Sequence, residues 1–428
     1  MSTLTPTRVQ RRFLLLHGLR WLPVGLMIPV LVLLPLERGL TLAQYGLAAA
    51  IQGIVVMILE LPTGGLSDAL GRRPVLLLAG AVDLASLTVL TFADSVVLFF
   101  VVYLLQGIYR ALDSGPLEAW YVDHALAVDE KADIETGLSR SGIVIGVAIA
   151  GGALLGGGLV ALGPLGRFSA LTVPILASLV LQVVSIIAVA TLMTEERTGR
   201  GMGALVASVR SVPAAVGGAV GLLRRSRIVV ALIAVEVFWG FGMVSFEGLM
   251  PVRLTEVVGD AEHASALMGP AGSAAWLASA LGAALIPLLA RRIGAPWTGA
   301  VLRVLQGVAV VGMAVLAGPA GVVAAYLLCY TVHGAANPVH SGLLHRQVEG
   351  PYRASLISLN SMVSQPAGAL GLVVLTAVAS HASVTVAMLV GAAVLAAAAP
   401  LYLVARRRPR PVTPDVDPVT VIHGGVST

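Results

Sequence analysis

Eight side chains able to exchange protons or hold polar solutes stand inside long apolar runs: Arg20, Arg110, Asp113, Glu236, Glu247, His333, Asn337 and His340. A charge in such a run costs about 2.5–3.5 kcal/mol if the run crosses a bilayer, so it is kept only where it meets a partner or water. Glu236, Gly240, Met243 and Glu247 follow one another at offsets of 4, 7 and 11 from the first, which is one face of a helix. A carboxyl group among apolar neighbours suits a site that takes up and gives back a proton. Glu236, and after it Asp113, are therefore the proton-coupling candidates. Arg110 and Asp113 lie three apart and can pair, and Arg20 at a similar depth can join them. That triad reads either as a coupling site or as a fixed ion pair holding two helices together. His333, Asn337 and His340 make a polar stripe at i, i+4 and i+7, read as a cavity wall. Arg20, Arg110, Glu247, His333, Asn337 and His340 are the candidates for touching a solute.

Other chemistries lack their residues. No glycine-rich phosphate loop leads into Lys-Ser/Thr, and no serine or histidine sits in a recognisable nucleophile setting. The single cysteine, Cys329, lies in an apolar run without metal-ligand spacing around it. No enzyme, cofactor or metal site is expected.

The elements that must position these groups follow from composition. Of 428 residues, 57% are hydrophobic and 11% charged, with a mean hydropathy of +0.93. A soluble domain carries about 25% charge. The net charge of +5 falls in short clusters between the runs, as retention at one membrane face requires, and not in the single stripe that nucleic acid would ask for. A spanning helix needs about 20 apolar residues. That ruler marks runs at 13–36, 41–61, 74–93, 95–121, 137–162, 167–193, 228–250, 264–289, 297–317, 320–344, 355–379 and 382–405. The fold class is thus an all-α membrane protein with twelve spans. With the N-terminus inside, only Arg38, Arg167 and Arg253 of the 27 basic residues fall in outer loops, so both tails are expected in the cytoplasm.

The longest polar interruption separates two six-span halves, giving bundles at 1–193 and 228–405, a cytoplasmic loop at 194–227 and an unstructured cytoplasmic tail at 406–428. Leu66–Gly71 and Leu289–Gly294 align at an offset of 223, each with a nearby arginine pair, which points to a duplicated half.

Between spans 2 and 3 runs Gly64-Gly65-Leu66-Ser67-Asp68-Ala69-Leu70-Gly71-Arg72-Arg73-Pro74-Val75-Leu76. This closely resembles the signature loop of the major facilitator superfamily; Ala69 departs from it. The resemblance implies two pseudo-symmetric six-helix bundles, a central cavity lined by spans 1, 4, 7 and 10, and transport by alternating access. It also implies a gating role for Gly64, Asp68, Gly71, Arg72, Arg73 and Asp123, with Arg72 pairing to Asp123 and Asp68 bonding amides at a helix start. Glu60–Gly64 and Ser114–Asp123 resemble a subgroup of bacterial facilitators with many drug and small-molecule exporters. Span 5 has many glycines but lacks the Gly-Pro of the antiporter signature, so its stripe reads as close helix packing. The expected function is proton-coupled export of a small amphipathic solute from a monomer in the plasma membrane, amphipathic because so few aromatic and charged residues imply a wide apolar cavity. Proton symport for uptake and a non-transporting membrane sensor are the alternatives.

Overall fold

The computed structural model describes residues 5–129, 132–195, 226–347 and 352–406, with isolated positions between 203 and 223. The expected central loop and tail fall largely outside the described residues. Among the described residues, eleven helices are long and apolar enough to cross a membrane. The first run is helical too, but differently from expectation. It forms Pro6–Met27, then turns, then Leu33–Glu37. Pro29 has no amide hydrogen to continue the ladder, and with Arg8, Arg11, Arg12 and Arg20 in it the unbroken part is too polar to qualify alone. Span 1 is this broken pair.

The other spans are Leu42–Leu70 (2), Arg72–Phe92 (3), Val96–Asp113 with Pro116–Val128 (4), Ile134–Ala161 (5), Val173–Leu192 (6), Arg227–Glu247 with Met250–Val258 (7), Ala261–Ile293 (8), Ala295–Val315 (9), Pro319–His345 (10), Tyr352–His381 (11), and Val384–Ala397 with Ala399–Leu403 (12). Several run past the expected ends, because the polar residues that mark a boundary in sequence still fit a helix that projects from the bilayer.

Packing repeats. In the first bundle span 1 lies on 5 and 6, span 2 on 4, and span 3 on 4 and 6. In the second, span 7 lies on 11 and 12, span 8 on 10, and span 9 on 10 and 12. Adding six to each number converts one pattern into the other. The bundles meet where span 2 packs on 11 and span 5 on 8, two contacts that the same shift exchanges. The aligned turns share a backbone shape: Gly71 has φ 94° and ψ 159°, Gly294 φ 79° and ψ 152°. A side chain is strained there, so glycine is needed at both.

Two of the outer arginines also correspond. Arg38 donates from Nη1 to the carbonyls of Leu90 (2.7 Å) and Ala93 (2.7 Å) and from Nη2 to Thr91 O and Thr172 Oγ1 (3.0 Å each). Arg253 reaches Met313 O (3.3 Å) and Leu316 O (3.4 Å). Each satisfies the last carbonyls of the third span of its bundle, where the helix dipole favours a cation.

The seam between bundles opens toward one end. At the arginine-poor end, a Cβ on Gly157 would lie 2.6 Å from Gly269 Cα, and one on Gly46 2.7 Å from Leu372 O. Ser265 Oγ donates to Pro29 O (2.7 Å), and Ala43 N to Ser380 Oγ (3.0 Å). Gly146, three turns from Gly157 on the same face of span 5, meets nothing within 4 Å. On span 2 the approach loosens to 3.4 Å at Gly53. The protein is sealed at the arginine-poor end and parted toward the arginine-rich one.

Candidate functional site

Two hollows lie along this opening. The central one, about 530 Å³, lies between the bundles. The other, about 390 Å³, lies nearer the arginine-rich end of spans 1, 2 and 4, closed on one side by Ser361 and Gln365 of span 11. They share Val56, Arg110 and Gln365, so Arg110 stands where one leads into the other.

Three spans lose their helical form beside these spaces. Ile28, Leu31 and Val32 from the break in span 1 line the central cavity, as does Gly248 from the break in span 7. Ser114 and Gly115, between the halves of span 4, line the second hollow, with Gly115 at φ 92°. Irregular backbone at membrane depth is tolerated where it borders a cavity that can satisfy its polar groups.

Asp113 forms an ion pair with Arg20, whose Nη2 also donates to the Asp113 carbonyl at 3.1 Å. Arg20 is 7% exposed, a buried charge whose partner is indispensable. The expected Arg110–Asp113 pair does not form. Span 1 packs close enough to claim the carboxylate, and Arg110 turns into the hollows with its guanidinium carbon 5.8 Å from the centre of the Trp21 ring. His17, 5% exposed, lies nearby with both ring nitrogens unbonded.

Glu236 lines neither hollow. Its Oε1 is 3.2 Å from His340 Nε2, which is 3.2 Å from Asn360 Oδ1, while His340 Nδ1 meets Tyr402 Oη at 3.0 Å. The buried Arg303 donates to Gln306 Oε1 at 2.8 Å on the adjoining span 9. Glu236 and His340 thus form the heart of a polar cluster inside the second bundle. Its counterpart is Arg20–Asp113, since each pair joins the first and fourth spans of its bundle. Met243 and Glu247, further along the Glu236 face, do line the central cavity.

Span 10 faces the cavity with other residues than expected. Tyr326 and Tyr330 line it. His333 continues their face one turn on but stacks on Trp239, centroids 5.6 Å apart and planes 11° from parallel. His340 is buried, and Asn337 is exposed outside both hollows with Ser341 Oγ at 3.5 Å. A helical stripe is a direction around an axis, and the cavity takes only the part of it that lies at the right depth.

Composition suggested a wide apolar cavity poor in aromatic residues; the central space is lined mostly by apolar residues, but tyrosine and tryptophan are gathered there. Tyr45, Tyr103, Trp239, Trp276, Tyr326 and Tyr330 line the central hollow, and Trp21 and Tyr109 the other. Those are eight of the chain's thirteen Trp and Tyr residues. None of its phenylalanines lines either space. Gln52, Glu60 and Gln365 also line these spaces, from spans 2 and 11, outside the set 1, 4, 7 and 10 that the resemblance implied. The uneven fall of Tyr and Trp against Phe was the available signal.

At the signature loop, Arg72 Nη1 lies 2.6 Å from Asp123 Oδ2 and donates to Ala119 O at 2.7 Å. The amides of Arg72 and Arg73 donate to the two carboxylate oxygens of Glu195, 2.8 Å each. Glu195, following span 6, therefore bonds the start of span 3. The side chains at Gly64 and Asp68 lie outside the described residues. Arg72–Asp123 ties spans 3 and 4 of one bundle; across the bundles at this end, Ser361 Oγ approaches both Glu60 carboxylate oxygens at 3.5 Å.

The fold has solved counterparts. The nucleoside transporter NupG is 14% identical with a TM-score of 0.75, covering 93% of this chain and 99% of its own. A bacterial homolog to the human lysosomal transporter Spinster, inward-facing and occupied, is 14% identical with a TM-score of 0.73, covering 94% and 97%. Its unoccupied form has a TM-score of 0.74. Among curated protein sequences none matches. A sequence model of the Major Facilitator Superfamily matches residues 13–338. With the repeated bundles and the hollow between them, that match over most of its length makes the chain a multi-pass membrane protein belonging to the Major Facilitator Superfamily.

Proposed function

We propose that this facilitator exports a small, ring-bearing amphipathic solute in exchange for protons. It works as a monomer in the plasma membrane with both termini cytoplasmic. The observation that carries the reading is the pair of hollows joined at Arg110, sealed at the arginine-poor end and continuing toward the other. Such a space admits a solute from one side, and parting of the glycine-lined seam would release it to the opposite side. Tyrosine and tryptophan offer flat apolar faces with a polar edge, which suits a solute of that kind. A solved neighbour of similar fold is a nucleoside transporter, and a nucleoside also joins a flat ring to polar edges.

Protons are carried by Glu236 and Asp113. Each carboxyl is buried beside a basic partner, so protonation releases that partner and loosens the first and fourth spans of one bundle. Gly64, Asp68, Gly71, Arg72, Arg73 and Asp123 act as the gate at the arginine-rich end. Export is favoured by the likeness of Glu60–Gly64 and Ser114–Asp123 to exporters.

Proteoliposomes loaded with a pH-sensitive dye test the coupling. Substrate added against a proton gradient should draw a counterflow of protons that Glu236→Gln or Asp113→Asn abolishes. Protons moving with the solute would establish symport for uptake instead, and an absence of any solute flux would leave a sensor.

A further inference from the structure

We infer that the central cavity selects a dipolar solute, with a negative and a positive group at opposite ends of a flat apolar body. The inference rests on the transporter reading and specifies its cargo.

Only two charged residues line the central cavity among the described residues, Arg110 and Glu247. Both are exposed to it. They come from different bundles, Arg110 from span 4 and Glu247 from span 7. They do not pair with each other or with any other described residue. Arg110 has only the Trp21 ring, and Glu247 only the Tyr330 hydroxyl, which donates to its Oε1 at 3.3 Å. Arg20, by contrast, is matched with Asp113, while Glu236 meets the imidazole of His340. An unmatched charge at membrane depth is retained where a ligand or ion supplies its counterpart.

Two such charges of opposite sign, carried by different bundles around one space, are complementary to a molecule carrying both signs and spanning the gap. Between them the walls are aromatic and aliphatic: Trp239, Trp276, Tyr326 and Met243. A neutral solute would leave both charges desolvated without recompense, and a singly charged one would leave one of them so. Because its two ends would engage different bundles, a dipolar solute would also draw the bundles together, which is what a carrier needs of its cargo.

The test is a four-member series on each of two flat aromatic scaffolds, 4-(aminomethyl)benzoic acid and 4'-(aminomethyl)biphenyl-4-carboxylic acid, which hold the ammonium and carboxylate at opposite ends at two spacings. Each is used as the zwitterion, the cationic methyl ester, the anionic N-acetyl derivative and the neutral doubly blocked form. Binding to purified full-length protein is measured by calorimetry and flux in proteoliposomes. At one spacing or both, the zwitterion should bind at least tenfold more tightly than either singly charged form, and the neutral form weakest. Arg110→Met should shift preference to the methyl ester, and Glu247→Gln to the N-acetyl derivative. Each variant thus proves its own folding by gaining a ligand. Binding or flux of the neutral form equal to that of the zwitterion would overturn the dipolar site and leave the transporter standing. No binding and no flux for all members would overturn both.

Discussion

Gly157 and Gly269 supply a direct test of the sealed seam. A Cβ at position 157 would lie 2.6 Å from Gly269 Cα and 2.7 Å from Ala266 O, both backbone atoms that cannot swing aside. Spans 5 and 8 must separate to admit it, and overpacking of this kind costs about 1–3 kcal/mol. Only the conformation in which these spans touch bears that cost. Gly157→Ala should therefore shift the equilibrium away from the sealed state by about 5- to 150-fold. The assay is a pulsed electron spin distance between labels at Leu162, 83% exposed at the end of span 5, and Glu262, exposed at the start of span 8. The buried Cys329 is first replaced by Ala. The distance distribution should move to longer values. Gly146→Ala, on the same face with nothing within 4 Å, should leave it unmoved. Identical distributions for the two variants, with equal thermal stability, would refute the tight seam.

Asp113→Asn should lower stability by about 3–5 kcal/mol in detergent melting, because it strands the buried Arg20 without a counter-charge; Arg20→Met with Asp113→Leu should recover most of the loss. Arg38→Gln should cost about 1.5–3 kcal/mol by releasing the carbonyls at the end of span 3. Arg167→Gln, which loses only contacts over the Phe92 and Phe168 rings, should cost about 0.5–1 kcal/mol in the same melts. At the start of span 8, the His263 backbone amide and then its ring hold the Asp260 carboxyl below its ordinary range. That contribution is present above the usual carboxylate range and is lost as pH falls through the depressed value. The melting advantage of wild type over Asp260→Asn at pH 7 should therefore vanish in acid, and an advantage independent of pH would count against it.

Some of this was legible in the sequence, for identifiable reasons. The apolar runs read directly as spans because the bilayer sets their length. The Leu66–Gly71 and Leu289–Gly294 repeat was readable because its glycines meet the same backbone demand in each half. The Arg72–Asp123 pair followed from the signature loop and lies at 2.6 Å. What could not be read was rotation and depth. Arg110 and Asp113 share a face, yet span 1 decides which arginine the aspartate meets. Glu236 and Glu247 share a face too, yet three turns separate a buried cluster from a cavity wall.

Depth has a physical consequence that composition conceals. A chain with 5% aromatic residues looks unable to build an aromatic site, but a bilayer removes the usual need for aromatic residues in the packing between helices, where glycine and alanine allow closer contact. Gly157 on Gly269, Gly46 on Leu372 and Gly240 on Ser364 do that packing with backbone alone. Tyrosine and tryptophan are then free to concentrate at the one place inside the membrane where a polar edge can be satisfied, a cavity that water and solute can enter. The same argument sorts the charges. Arg20 and Asp113 neutralise each other and Glu236 meets the His340 imidazole inside its bundle, while Arg110 and Glu247, left without such partners at the cavity, are the ones available to a solute.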